Sequence, residues 1–205
     1  MRDLRLNMQD IARSGHVTRW HSVRCARNQT LAEHHYLVAM IARELLRRLF
    51  GPDLSAETRL RVLEYALIHD TPELLMGDLP SPLKQRIAEI AGERNPITRI
   101  EGELSPELIE YRRALAGSPL AEIVKIADLM DACLFIREEG IGRHAALVAD
   151  KCEALLRQRI QDASARFPEL NWDQVLSLYA HLRGETGPDN RVLFEQTQTE
   201  CLRKE

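Results

Sequence analysis

The chain of 205 residues carries a formal charge of −3, with 44% hydrophobic and 29% charged residues, enough for one sizeable core and ordinary for a globular protein. That balance gives no case for sequence-independent binding to nucleic acid, which needs a strong basic excess. No apolar run approaches the roughly 18 residues of a membrane span, and the charged N-terminus MRDLRLNMQDIARSG has no signal-peptide core.

In chain order the periodicity is helical almost everywhere. Leu4, Met8, Ile11 and Ala12 predict a short first helix ending near Gly15. Over residues 33–50, Leu37, Val38, Ile41, Leu45, Leu46 and Leu49 recur at helical spacing until Gly51-Pro52 stops them. Ser55 is a candidate N-cap for a helix running through Leu60, Leu63, Ala66 and Leu67 to His69. Pro72, Gly77, Pro80 and Pro82 then forbid one long helix, and short turns are expected there. Ser105-Pro106-Glu107 opens another helix, followed by apolar-rich helices over 120–138 and 144–166 and a last one over 173–183. No repeat and no strand pattern emerges. The expectation is a single all-α domain over 1–184 with a polar, mobile tail over 185–205. The scattered Cys25, Cys133, Cys152 and Cys201 form no CxxC pair and are read as reduced thiols of a cytoplasmic protein.

Several polar residues sit where the apolar stripes point inward. Glu33-His34-His35 opens the second helix, His69-Asp70 closes the third, and Glu73 follows one turn on. Asp78 lies in a Gly-Asp-Leu-Pro turn, and Asp128 falls inside the apolar LAEIVKIADLMDACLF. A buried charge must be paired or bind a metal. Helical bundles build metal sites from such inward-facing side chains. Imidazole with carboxylate suits a divalent ion such as Mn, Fe, Co, Ni or Zn. The competing readings are a capping or hydrogen-bonded core role for His34 and an ion pair between Asp128 and Lys125.

The strings EHH, HDTPELLMGDLPSPLK and KIAD resemble the HD-domain phosphohydrolases, and over residues 15–150 they resemble the bacterial 5′-deoxynucleotidase branch. Arg19-Trp20 ahead of the first His, Glu73 after His69-Asp70, and Gly77-Asp78-Leu79-Pro80 with Pro82 carry that likeness. The resemblance implies an HD-type helical bundle with a metal site in its core. His34, His69, Asp70 and Asp128 would hold a divalent metal ion, with Co, Mn or Zn foremost. Glu73 would activate, or deliver a proton to, the reacting water beside Asp70. Arg19 would contact the phosphate, and Lys84 is a further phosphate candidate with a solvated surface lysine as the alternative. Trp20 would crowd the 2′ position of the sugar while Asp78 accepts from the 3′-hydroxyl.

Some positions depart from that pattern. His35 stands where the family has Ser or Thr, and is read as an exposed or packed helix residue, with support of a metal ligand from behind as the alternative. His21 and Ser22 replace the expected Pro or aliphatic residue after Arg-Trp, which bears on base preference. Asp131, one turn after Asp128, either orients a ligand or is solvated. His16, His144 and His181 are read as structural or surface residues.

The resulting expectation is a cytoplasmic, metal-dependent hydrolase of 2′-deoxynucleoside 5′-monophosphates, self-associating as a homodimer or larger homo-oligomer, with no membrane or nucleic-acid partner. The rivals are a phage-type hydrolase removing phosphates from dATP and a non-catalytic nucleotide-sensing HD module.

Overall fold

The computed structural model describes residues 4–186, and the expected tail lies outside the described residues from 187 on. The described chain is helical, and its β-pairing is confined to isolated bridges between Thr18 and Thr30 and between Cys25 and Gly140.

The first turn, α1 (Met8–Ile11), is held by the Asn7 side chain accepting from the amides of Gln9 and Asp10. Helix α2 (Leu31–Phe50) begins two residues before the sequence expectation. Its start is fixed by a reciprocal cap: Thr30 Oγ1 accepts from the Glu33 amide at 3.2 Å, and the Glu33 carboxylate accepts from the Thr30 amide at 2.7 Å. Gly51, at φ +55°, ends it in a conformation open to glycine. Helix α3 (Ala56–Ile68) starts at the expected cap, with Ser55 Oγ accepting from the Thr58 amide at 3.1 Å.

A helix begins within the proline-rich stretch where short turns are expected, and a second one follows it. After the single turn α4 (Glu73–Met76), α5 (Ser81–Ala91) and α6 (Pro96–Leu104) are both helical. Pro82 and Pro96 stand in their first turns, where a missing N–H costs no hydrogen bond. Then follow α7 (Pro106–Leu115), α8 (Pro119–Glu139), α9 (Gly142–Arg166) and α10 (Asp173–Leu182), within a residue or two of expectation. Gly140 lets α8 turn into α9, since a Cβ there would collide with the Ile136 carbonyl and Ala145.

Helix α8 is the centre of the core, buried along most of its length and packed against α2 on one flank and α9 on another. Val38, Leu45, Val62, Ile126, Met130 and Leu156 are closed off from solvent. Each such side chain contributes roughly 1.5–3 kcal/mol by burial. Cys25, Cys133 and Cys152 are free thiols, while Cys201 lies outside the described residues.

Candidate active site

The polar interruptions of the apolar stripes meet at one place. His34 comes from the first turns of α2, His69 caps α3, Asp70 and Glu73 follow in the turn into α4, and Asp128 and Asp131 project from α8. The segment 17–30 closes over them. It is stapled by Arg19 N donating to Gln29 O (2.9 Å), Leu31 N to Val17 O (2.8 Å), and Ile141 N to Arg24 O (2.8 Å).

The tautomers of both histidines follow from their partners. His69 Nδ1 lies 2.8 Å from the Ala66 carbonyl, which can only accept, so Nδ1 carries the proton. His34 Nδ1 lies 2.5 Å from Asp131 Oδ2, an acceptor of the same kind. Both Nε2 atoms therefore present lone pairs, and they face each other at 3.2 Å. Asp70 Oδ2 stands 3.7 Å from His34 Nε2 and 3.5 Å from His69 Nε2, and Asp128 Oδ1 stands 3.4 Å from His34 Nε2. One donor atom each from His34, His69 and Asp70 lies within 4.8 Å of the others. Two nitrogen lone pairs and two carboxylates so close repel one another unless a cation lies among them. The donor set of imidazole and carboxylate fits a divalent ion. A carboxylate or carbonyl behind each imidazole is the support such ligands require.

The alternative of an Asp128–Lys125 ion pair is corrected by the structure. Lys125 neighbours Glu122, Arg159 and Arg112 instead, and burial followed by those cations pulls its ammonium down.

Charge and burial shape the other groups. Burial pulls the Asp70 carboxyl up, but His69, Arg19 and Lys84 together hold it below the usual carboxylate range. Burial, with Asp70 adding, pushes the Asp128 carboxyl up. Asp131 is raised to about 7 by burial, with Arg19 and the Gln29 amide opposing. Glu73 is buried and pushed up to about 8, by burial first and by Asp70 second, while Lys84 pulls it back. The Lys84 ammonium from α5 contacts Glu73 Oε1, so Lys84 is part of the site rather than a solvated surface lysine. Glu73 Oε2 has no partner.

Like His35 Nε2, Arg19 is unsatisfied too. Its Nε and Nη1 are buried without a hydrogen-bond partner, and Nη1 is 3.7 Å from Asp70 Oδ2. Donors in that state suit a bound anion. Beside it Trp20 adopts φ +67°, a conformation uncommon outside glycine. Its backbone N–H donates to Asp78 Oδ2 (3.2 Å), its indole N–H donates to Gln29 Oε1 (2.9 Å), and its ring stacks on Phe135 with centroids 6.0 Å apart. Asp78 and Trp20, both expected at the sugar, are thus in direct contact.

His35 is packed rather than exposed, with its ring 5.2 Å from that of His69. Burial lowers its pKa to about 3. Asp131 orients His34 and is not solvated. Gln29 joins the site without any signal in the sequence, since a glutamine in a loop carries no spacing pattern. His16, His144 and His181 are not buried.

The chain and its fold are similar to several known proteins. The sequence profile of the YfbR-like 5′-deoxynucleotidases matches residues 8–164. A dATP triphosphohydrolase of Acinetobacter phage SH-Ab 15497 is 32% identical over 179 residues, spanning 82% of this chain and 87% of the relative. The 5′-deoxynucleotidase YfbR of Escherichia coli (strain K12) is 31% identical over 169 residues, spanning 75% and 83%. The fold is similar to that of the cyanophage S-2L HD phosphohydrolase DatZ, solved bound to dA and one catalytic Zn2+ ion, with a TM-score of 0.74, 24% identity, and 88% and 98% of the two chains covered. On a match that takes in most of its length, the chain belongs to the YfbR-like 5′-deoxynucleotidase family, phosphoric ester hydrolases on the all-α HD fold.

Proposed function

We propose that this enzyme removes the 5′-phosphate from 2′-deoxynucleoside monophosphates, with a divalent ion (Co, Mn or Zn) held by His34, His69, Asp70 and Asp128. The observation that carries the reading is the pair of Nε2 lone pairs facing at 3.2 Å beside two carboxylates, next to an arginine with buried, unfilled donors. When bound, the ion would supply Lewis-acid polarisation of a phosphoryl oxygen and a lowered pKa for water.

The chain's own residues do the rest. Arg19 presents Nε and Nη1 to the phosphate, and the planar fork suits it. Glu73 in its ionised form takes the proton of the attacking water on Oε2, its free oxygen, and returns it to the departing 5′-oxygen, while Lys84 on Oε1 steadies the negative charge and offers a second phosphate contact. A carboxylate whose pKa is raised is a stronger base than an ordinary one. Trp20 crowds the 2′ position and disfavours ribose. Asp78 keeps Oδ1 for the 3′-hydroxyl, because Oδ2 accepts from the Trp20 amide.

A second reading, release of phosphates from dATP, is favoured by the 32% identity to a phage dATP triphosphohydrolase. Protein reloaded with Co²⁺ or Mn²⁺ and given dAMP, AMP and dATP, with products resolved by chromatography, separates the two. Phosphate from dAMP with little from AMP supports the first reading. Triphosphate or phosphate from dATP in preference to dAMP supports the second, and turnover of neither contradicts both.

Self-association as a homodimer or larger oligomer is part of the proposal, supported by exposed Tyr36 and Met40 one turn apart on α2. A cytoplasmic location is supported by the free thiols. Among the described residues no helix is long and apolar enough to cross a membrane.

A further inference from the structure

Behind the ligand set runs one unbroken chain of hydrogen bonds. The indole N–H of Trp20 donates to Gln29 Oε1 at 2.9 Å. Gln29 Nε2 donates to Asp131 Oδ1 and Oδ2 at 3.1 and 2.9 Å. Asp131 Oδ2 in turn accepts from His34 Nδ1 at 2.5 Å. Gln29, Asp131 and His34 are 3%, 0% and 0% exposed, so water does not compete with these bonds.

The polarity of the chain is forced from the indole end. An indole N–H only donates, so the Gln29 amide fits in one orientation, oxygen to Trp20 and nitrogen to Asp131. Both Asp131 oxygens accept from that nitrogen, and Oδ2 also faces His34 Nδ1. The same helix α8 that carries Asp131 also carries Phe135, one turn on, against which the Trp20 ring stacks. Trp20 is therefore fixed to α8 by its ring face and, through Gln29, by its edge.

The geometry points to Gln29 and Asp131 as positioning residues that couple the sugar-facing Trp20 to the metal ligand His34, so that one hydrogen-bonded chain sets both sugar discrimination and metal affinity. This rests on the proposed roles of Trp20 and of the metal site. Asp131 holds the His34 tautomer with Nε2 toward the ion. Gln29 transmits any reorientation of the indole to that carboxylate, and the reverse.

Substituting Asp131→Asn either breaks the chain or turns His34 into the wrong tautomer. With the Asn oxygen toward Gln29, its nitrogen donates to His34 Nδ1 and the ring proton moves to Nε2, where the ion would bind. With its oxygen toward His34, its nitrogen meets the Gln29 nitrogen. Turning Gln29 over then sets a second donor against the Trp20 N–H. The double substitution Gln29→Glu with Asp131→Asn restores every partner: the glutamate accepts from the indole and from Asn Nδ2, and the Asn oxygen accepts from His34.

Two readouts test this on the full chain: Co²⁺ affinity of the nucleotide-free protein by visible absorption, and the ratio of kcat/KM for dAMP over AMP. Asp131→Asn is expected to weaken Co²⁺ binding by about 10- to 100-fold and to lower the ratio. The double variant is expected to recover most of both, more than the single effects allow by addition. Trp20→Phe, which keeps an aromatic face and removes the N–H, is expected to weaken Co²⁺ binding severalfold although it touches no metal ligand. If Asp131→Asn changes neither readout, or the double variant is no better than the sum of the singles, the chain has no positioning role. If Asp131→Asn does not fold, the double variant and Trp20→Phe still decide. An unchanged Co²⁺ affinity in Trp20→Phe removes the link to Trp20. A wild-type protein that binds no Co²⁺ refutes the metal-site reading instead, and the coupling with it.

Discussion

His34 Nε2 and His69 Nε2 face each other across 3.2 Å with their Nδ1 protons already committed, one to Asp131 and one to the Ala66 carbonyl. Burial and the nearby Arg19 hold His34 well below its usual value, so its ring has no second proton to place between them at neutral pH. The arrangement is therefore destabilising by itself and stabilising around a cation. Metal-stripped protein should melt lower than loaded protein. At an ion concentration of about 100 times Kd, binding adds roughly 2.7 kcal/mol. For a chain of this size that raises Tm by about 5–10 °C. Thermal melts with EDTA and with added Co²⁺ or Mn²⁺ check it, and identical melts would count against the site.

Glu73 gives a pH dependence with a definite sign. Its pKa rises from the ordinary 4.5 to about 8 in the folded protein, so the folded state binds this proton more tightly than the unfolded chain. The stability it contributes is fully present below about 4.5 and is lost as pH rises through about 8. Glutamine cannot ionise, so in metal-free protein the Tm of Glu73→Gln relative to wild type should climb between about pH 5 and about pH 9. A difference independent of pH would contradict the assignment. The same variant should lose about 10²–10⁴-fold in kcat if Glu73 moves the proton of water.

Arg19 separates phosphate recognition from metal binding. Arg19→Ala should lower kcat/KM by about 10²–10³-fold while Co²⁺ affinity falls little. Arg19→Lys should recover only part of the loss, since an ammonium cannot reproduce two donors in a fixed plane. Steady-state kinetics beside a metal titration tests this, and unchanged kcat/KM in the alanine variant would remove Arg19 from the site.

Trp20 is expected to govern the sugar. Trp20→Ala should bring the kcat/KM values for dAMP and AMP closer together, mainly by improving AMP. An unaltered ratio would mean the indole is not the barrier to ribose.

Much of this site is legible in the amino-acid sequence because its residues interrupt strong patterns. His34 and Asp128 break apolar stripes of α2 and α8, and His69-Asp70 ends one on α3, so periodicity exposes them as anomalies. The helix α5 is not legible, because Pro82 reads as a breaker until its place in a first turn is known. The start of α2 is two residues earlier than periodicity suggests, because the Thr30–Glu33 cap lies ahead of the apolar run that signals the helix. Spacing alone makes Lys125 a partner for Asp128, yet it neighbours Glu122 and the arginines of adjacent helices. Gln29 shows the general limit. Its importance comes from two partners distant in sequence and in different elements, Trp20 and Asp131, and local pattern carries no trace of that.

The most direct test of the central claim follows metal occupancy and dAMP hydrolysis in the same samples, as Co²⁺ is titrated into stripped wild-type protein and into Asp128→Ala. Phosphate release should rise in proportion to bound Co²⁺ and level off at one ion per chain, with the variant binding weakly and staying inactive. Full activity in stripped protein, or no hydrolysis of dAMP at full occupancy, would contradict it.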